Sequence, residues 1–209
     1  MPVSDPTDVP VNETIRSIYR RHSVRLFTDQ PVSDEDLRAI LGAANQAPSA
    51  HNQQAWRFIV IRQERTRLEL AEMVRDRAGD FSRATSALLR RAVRSITSAP
   101  VIVAVTNTGE LTRRGSELPE VYEEAGGDVF RTMEIQSSAA AVENLLLAAT
   151  SLGIGSVWLG ILVLLKQEVL EVLGEPAGEL MAVVALGHPA TRISGPKKLS
   201  LEALVRYLD

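Results

Sequence analysis

The sequence predicts an α/β or α+β layered fold, on three observations. Short runs rich in β-branched and aromatic residues, "WRFIVIR" at residues 56–62 and "APVIVAVTN" from residue 99, have the composition of strands. Longer stretches with apolar residues at helical spacing lie between such runs, so the two kinds of segment interleave along the chain. No internal repeat or linker divides the 209 residues, and 45% hydrophobic with 23% charged content matches a globular protein with a substantial core. The expected organisation is a mobile, acidic and proline-rich arm over residues 1–11 and one domain over residues 12–209.

Taken in order, Asn12 is placed to cap a first helix in which Ile15, Ile18 and Tyr19 follow helical spacing. After Pro31, Ser33 with Asp36 three residues on marks a second helix start, and Leu37, Ile40, Leu41 and Ala44 make its apolar face. The strand at 56–62 leads into a charged helix with Leu68, Ala71 and Val74 inward, then a helical pattern over 82–98. Residues 99–105 are apolar throughout, as a strand buried on both faces inside a sheet must be. Residues 109–127 are charged, carry paired glycines and Pro119, and read as a mobile excursion over the core, placed to act as a lid. Residues 135–152 are apolar nearly all round, the pattern of a central helix, and Gly153 is placed to end it. "IGSVWL" as a short strand, a helix over 166–173, a strand over 180–186 and a final helix through Leu201, Leu204, Val205 and Leu208 complete the pattern.

Composition excludes several classes of function. A net charge of −3 and a pI near 5.7 leave no overall basic surface for nucleic acid. The absence of cysteine rules out disulfides, thiolate nucleophiles, iron–sulfur clusters and cysteine zinc sites together. His22, His51 and His188 are the only histidines, and none has the spacing of a metal site, so no metal is expected. No "GxSxG" elbow is present, and no acid–base pair stands out among the carboxylates. Residues 144–165 are uncharged over the length of a membrane span, but Gly153, Gly155 and Gly160 split them into a helical and a strand-like piece, which fits a buried crossing. A cytoplasmic protein with no membrane segment is the simplest fit.

Two basic clusters stand at opposite ends of the chain. Arg20, Arg21 and Arg25 flank His22 and Ser23 where the first helix should end, and arginine beside a serine hydroxyl suits bidentate phosphate contacts. The alternative is a solvated basic helix end, favoured by the helix dipole. In "GPKKLS", Lys197 and Lys198 leave a turn before the last helix and are either ordinary surface lysines or a second wall of an anion site. "LGIGSVWLG" fails as a dinucleotide fingerprint because Trp158 takes the third glycine place, while Gly160 offers close backbone approach to a flat ligand or simply makes a turn. "QAPSAHNQQAW" is a polar loop tied to a core strand by Trp56 and Phe58, and rigid polar loops are where ligands are met. Together these features ask for a ligand with a phosphate at one end and a flat hydrogen-bonding ring at the other.

Read in series, "RRHSVRLF", "APSAHNQQAWRFIVI", "NLLLAATSLGIGSVWLG", "ALGHP" and "PKKLSLEALV" resemble the nitroreductase family of flavin enzymes over nearly the whole chain. The resemblance implies an α+β fold with a central mixed sheet flanked by helices, working as an intertwined homodimer with FMN at the interface. It implies that Arg21 and Ser23 meet the FMN phosphate with Lys197 or Lys198, that His22 lines the same stretch, and that Arg25 sits by the pyrimidine edge of the ring. Pro48, Ser49 and Asn52 would come from the other chain, and the backbone of Leu159 and Gly160 would approach the ring's N5 and O4 side. Ala55 stands where family members commonly have proline, and residues 80–97 and 109–127 match no family motif. The implied activity is FMN-dependent oxidation of NADH or NADPH with reduction of a nitroaromatic, a quinone or an activated alkene, with solvent supplying protons and no catalytic side chain needed. The alternatives are an FMN-dependent dehydrogenase, a flavin-cleaving enzyme, or a flavin-binding module without turnover.

Overall fold

The computed structural model describes residues 12–115, 128–175, 177–191 and 194–208. The expected N-terminal arm, and most of the expected lid, lie outside these residues. Four strands build the sheet: β1 (Trp56–Ile61), β2 (Val101–Asn107), β3 (Gly155–Trp158) and β4 (Glu179–Gly187), in spatial order β1-β2-β4-β3. All three pairings are antiparallel. The mixed sheet expected from the resemblance is thus an antiparallel one, and its parallel component is reduced to an isolated bridge between Ser23 and Ser156. The α+β character holds.

Period-two alternation sends the two faces of the sheet into two cores. Ile102, Ala104, Val183 and Ala185 face one side, against α3 (Glu64–Arg77), α4 (Arg83–Ser98) and α7 (Lys166–Leu173). Val101, Val103, Val105, Ala182 and Val184 face the other, against α2 (Asp34–Asn45) and the long α6 (Asp128–Ser151). Every residue of β2 is therefore buried, as its unbroken apolar run requires. In α3 the inward residues are Leu70, Ala71 and Val74, and Leu68 is half exposed. Leu70 and Val74 are one turn apart and share a stripe, which leaves Leu68 on the flank.

Helix ends follow local chemistry. The Asn12 side chain accepts from the Ile15 N–H to start α1 (Glu13–Arg20), and Ser33 accepts from the Asp36 N–H to start α2. At the end of α6, Gly153 takes φ +73°, the Gly153 N–H donates to the Thr150 carbonyl, and the Ile154 N–H donates to that of Ala149. This pair of hydrogen bonds turns the chain directly into β3. Residues 144–165 are accordingly the end of α6, β3 and a 3-10 segment, and no helix among the described residues is long and apolar enough to cross a membrane. The head of the expected excursion is helical, α5 (Glu110–Gly115), and residues 116–127 lie outside the described set.

The final helix is absent: residues Leu201–Ala203 make one 3-10 turn, and Leu201, Leu204, Val205 and Leu208 are exposed. Helical spacing alone cannot hold a short helix whose apolar residues are left exposed. A test of the α6 terminus is Gly153→Ala, where no atom lies within 4 Å of the added methyl, so only the left-handed backbone opposes it. The expected loss is about 1 kcal/mol, read as a lower urea midpoint at unchanged slope.

Candidate functional site

Backbone bonds lay residues 23–28 along the sheet. The Val24 N–H donates to the Ser156 carbonyl at 2.9 Å, the Thr28 N–H to that of His188 at 2.9 Å, and the Ala190 N–H to that of Leu26 at 3.1 Å. Val24 and Phe27 enter the core while Arg25 and Leu26 remain exposed. Glycine makes this approach possible: Gly155 and Gly187 are register partners, a Cβ on Gly155 would lie 2.9 Å from Val24 Cγ1, and one on Gly187 would lie 3.1 Å from Phe27 Cβ. The basic segment "RRHSVR" is thereby fixed at the edge of β3.

The far end of the chain returns to the same place. A cavity of about 200 Å³ is lined by Tyr19, Arg20, Arg21, His22, Ser23, Gly195, Pro196 and Lys198. Gly195 packs so closely that a Cβ there would stand 3.0 Å from His22 Cβ. Lys198 is on the wall and Lys197 is not, which separates the two lysines that sequence alone left equivalent. Arg21 has an ion-pair partner in Glu143 of α6 at 3.7 Å, and its side chain is about one-fifth exposed. His22 Nδ1 lies 2.9 Å from the Arg20 carbonyl oxygen. A carbonyl only accepts, so the Nδ1 proton is fixed there and Nε2 is the free ring atom.

Arg25 stands in a second cavity of about 170 Å³, with Leu26, Arg91 and Arg94. Its carbonyl oxygen accepts from Ser95 Oγ at 3.2 Å, which ties α4 to the segment. Arg91 and Arg94 were not among the residues picked out from sequence. Their spacing puts both on one face of α4, but nothing in the chain order joins that face to Arg25.

The polar loop sits elsewhere, and neither cavity includes Pro48, Ser49 or Asn52. His51, Asn52 and Gln54 have φ of +52°, +54° and +48°, a left-handed backbone that costs non-glycine residues about 1–3 kcal/mol each. Several bonds hold it there. The Gln54 N–H donates to Ser49 Oγ at 3.1 Å, the Ala50 N–H to Ser137 Oγ of α6 at 3.1 Å, and Trp56 Nε1 to Asn45 Oδ1 at 3.0 Å. One turn earlier on α6, buried Glu134 accepts from the Leu111 N–H and the Thr112 hydroxyl, each at 2.9 Å, and so holds the start of α5.

Leu159 and Gly160 differ from each other. The Leu159 N–H donates to the Val183 carbonyl at 2.8 Å and its own carbonyl accepts from the Leu162 N–H at 3.0 Å, so the one backbone donor of Leu159 is already engaged. Gly160 is exposed, with no atom within 4 Å of where a Cβ would stand. Of the expected pair, Leu159 is buried and Gly160 is exposed.

Comparison with known proteins decides the family. The sequence profile of the nitroreductase family matches residues 18–188. The chain belongs to the nitroreductase family. A relative from Archaeoglobus fulgidus, provisionally named NADH dehydrogenase/NAD(P)H nitroreductase, is 35% identical over 86% of this chain and 87% of its own. The FMN reductase [NAD(P)H] of Bacillus subtilis is 27% identical over 93% of this chain and 73% of its own. Among solved structures, a nitroreductase with bound FMN from Desulfitobacterium hafniense superposes with TM-score 0.74 at 26% identity, covering 95% of this chain and all of that one. The NADPH:FMN oxidoreductase of Vibrio harveyi in complex with NAD+ gives TM-score 0.72 at 26% identity, covering 95% of this chain and 78% of that one.

In this nitroreductase-family chain the profile match stops before Gly195, so the union of the two basic clusters rests on the cavity itself. The strained loop offers a direct test. Ser137→Ala removes the acceptor of the Ala50 N–H, and hydrogen exchange at that amide should quicken by about tenfold, the worth of one part-buried hydrogen bond. Unchanged exchange would show that Ser137 does not fasten the loop.

Proposed function

We propose that this nitroreductase-family protein is an FMN-dependent NAD(P)H oxidoreductase that reduces an electron-poor acceptor such as a nitroaromatic, a quinone or an activated alkene. The observation that carries the reading is the cavity at which Arg20, Arg21, Ser23 and Lys198 meet. Guanidinium, hydroxyl and ammonium donors around one small space are the donor set of a phosphate, and among the described residues no carboxylate lines that wall. Relatives named FMN reductase and NADPH-flavin oxidoreductase, and FMN-bound neighbours, support the same cofactor.

On this reading Arg21, Ser23 and Lys198 hold the phosphate, and His22 packs the turn that carries Lys198 against them. Arg25, with Arg91 and Arg94, supplies positive charge at the ring's pyrimidine end, where it favours electron gain. Gly160 offers its exposed backbone to the ring. FMN, when bound, would supply the redox chemistry between NAD(P)H and the acceptor. The protein's share is to bind, orient and exclude water, and no side chain is assigned as acid or base.

The reading includes a homodimer in which Pro48, Ser49 and Asn52 complete the partner's flavin site. Two features support it: the loop is fastened by hydrogen bonds yet lines neither basic cavity, and Leu199, Leu201, Leu204, Tyr207 and Leu208 are exposed apolar or aromatic side chains that a second copy would cover. A cytoplasmic setting belongs to the same reading, because NAD(P)H is regenerated there.

Anaerobic stopped-flow mixing tests the activity: bleaching of the bound flavin by NADH or NADPH within seconds is expected. A flavin that stays oxidised would favour a dehydrogenase or a flavin-cleaving enzyme instead. For the cradle, Lys198→Ala and Arg21→Ala should each weaken FMN binding about tenfold or more, the worth of a charge-assisted hydrogen bond, while Lys197→Ala changes it little. Equal losses at both lysines in equilibrium dialysis would refute the assignment of Lys198.

A further inference from the structure

Within the strained loop, one side-chain amide has its orientation decided by its neighbours. Gln54 Nε2 lies 2.9 Å from Asn52 Oδ1 and 3.4 Å from the Asn52 carbonyl oxygen. A backbone carbonyl only accepts, so the Gln54 atom facing it is the NH2 group and not Oε1. That NH2 only donates, so the Asn52 atom it meets is Oδ1, and the Asn52 NH2 is turned away from Gln54. Asn52 is exposed, so this NH2 is left for a ligand.

Gln54 is itself anchored at both ends of its backbone. Its N–H donates to Ser49 Oγ at 3.1 Å and its carbonyl accepts from the Arg57 guanidinium at 3.3 Å. Its φ of +48° would suit glycine better. What glycine lacks is the amide that grips Asn52.

We infer that Gln54 is a positioning residue that locks Asn52 as a hydrogen-bond donor, so the Asn52 side chain presents its NH2 to an acceptor atom of the ligand. Resting on the flavin reading above, that atom is a carbonyl oxygen or an unprotonated ring nitrogen of the isoalloxazine, and not its N3–H. The lock works through Asn52 alone, and Gln54 need not touch the cofactor.

Two substitutions at one site separate a lock from a space-filler. Gln54→Glu keeps the shape but presents acceptors to Asn52, so the Asn52 amide flips and offers Oδ1 outward in place of NH2. Gln54→Gly suits the left-handed backbone and frees the amide to rotate. FMN titration of the apo-protein at neutral pH should show Gln54→Glu weakened about tenfold or more, a lost donor to the ring. Gln54→Gly should lose only about twofold, the cost of an amide correctly turned half the time. The reduction potential of flavin bound to Gln54→Glu should become more negative, and the urea midpoint of the apo-protein should not fall for Gln54→Gly. In an Asn52→Ala background, Gln54→Glu should add nothing further.

If Gln54→Glu binds FMN as well as the parent, or better than Gln54→Gly, or if its effect persists without Asn52, the lock is refuted while the flavin reading stands. A parent protein that binds no FMN refutes both.

Discussion

The site depends on one close approach. Gly155 and Gly187, opposite each other in the β3–β4 register, leave room for Val24 and Phe27 to press against the sheet where any side chain would collide. That contact fixes residues 23–28 by backbone bonds to Ser156 and His188, and with them the path of the chain that carries Ser23 and Arg25. Two buried anchors in this short segment are enough, because the backbone bonds are made at the same time. The return of the chain at Gly195 uses the same device, glycine against His22, to bring Lys198 to the cavity.

A second constraint lies along α6. Most of this helix is apolar, yet it buries Glu134, Ser137 and Ser138 within a little over one turn. Each has a distinct partner: Glu134 holds α5, Ser137 holds the loop at Ala50, and the Ser138 hydroxyl donates to Asn107 Oδ1 at the end of β2. Burying polar groups is unfavourable unless they are bonded, so these three define where the loop, α5 and the sheet meet. The loop's left-handed residues are held by this fastening, and the amide pair of Asn52 and Gln54 is its outer consequence. The loop residues Pro48, Ser49 and Asn52 line neither basic cavity, which is why the homodimer forms part of the functional reading.

Much of this was legible in the sequence where the cause is local. Ser33 with Asp36, Asn12 with Ile15 and Gly153 after an apolar run are short-range chemistry, and each appears as read. The run at β2 showed its two-sided burial because no polar residue interrupts it. The last helix was misread because spacing describes a face but not what covers it, and Leu68 because one residue decides which side of a stripe is inward. The site divides along the same line. Arg21, His22, Ser23 and a lysine of the pair came from residue type and a family resemblance, whereas Arg91 and Arg94 joined Arg25 only through packing of α4. The engaged N–H of Leu159 and the turn of the Asn52 amide depend on bonds to Val183 and Gln54 that no spacing encodes.

The central claim is that the two ends of the chain form a cationic grip on a phosphate. The most direct measurement compares FMN with riboflavin, which differ by that group alone, in calorimetric titrations of the apo-protein at low and high salt. Charge-assisted bonds from two or three donors predict that FMN binds at least about a hundredfold tighter than riboflavin, with a gap that narrows as salt rises. Equal affinities, unaffected by salt, would contradict it.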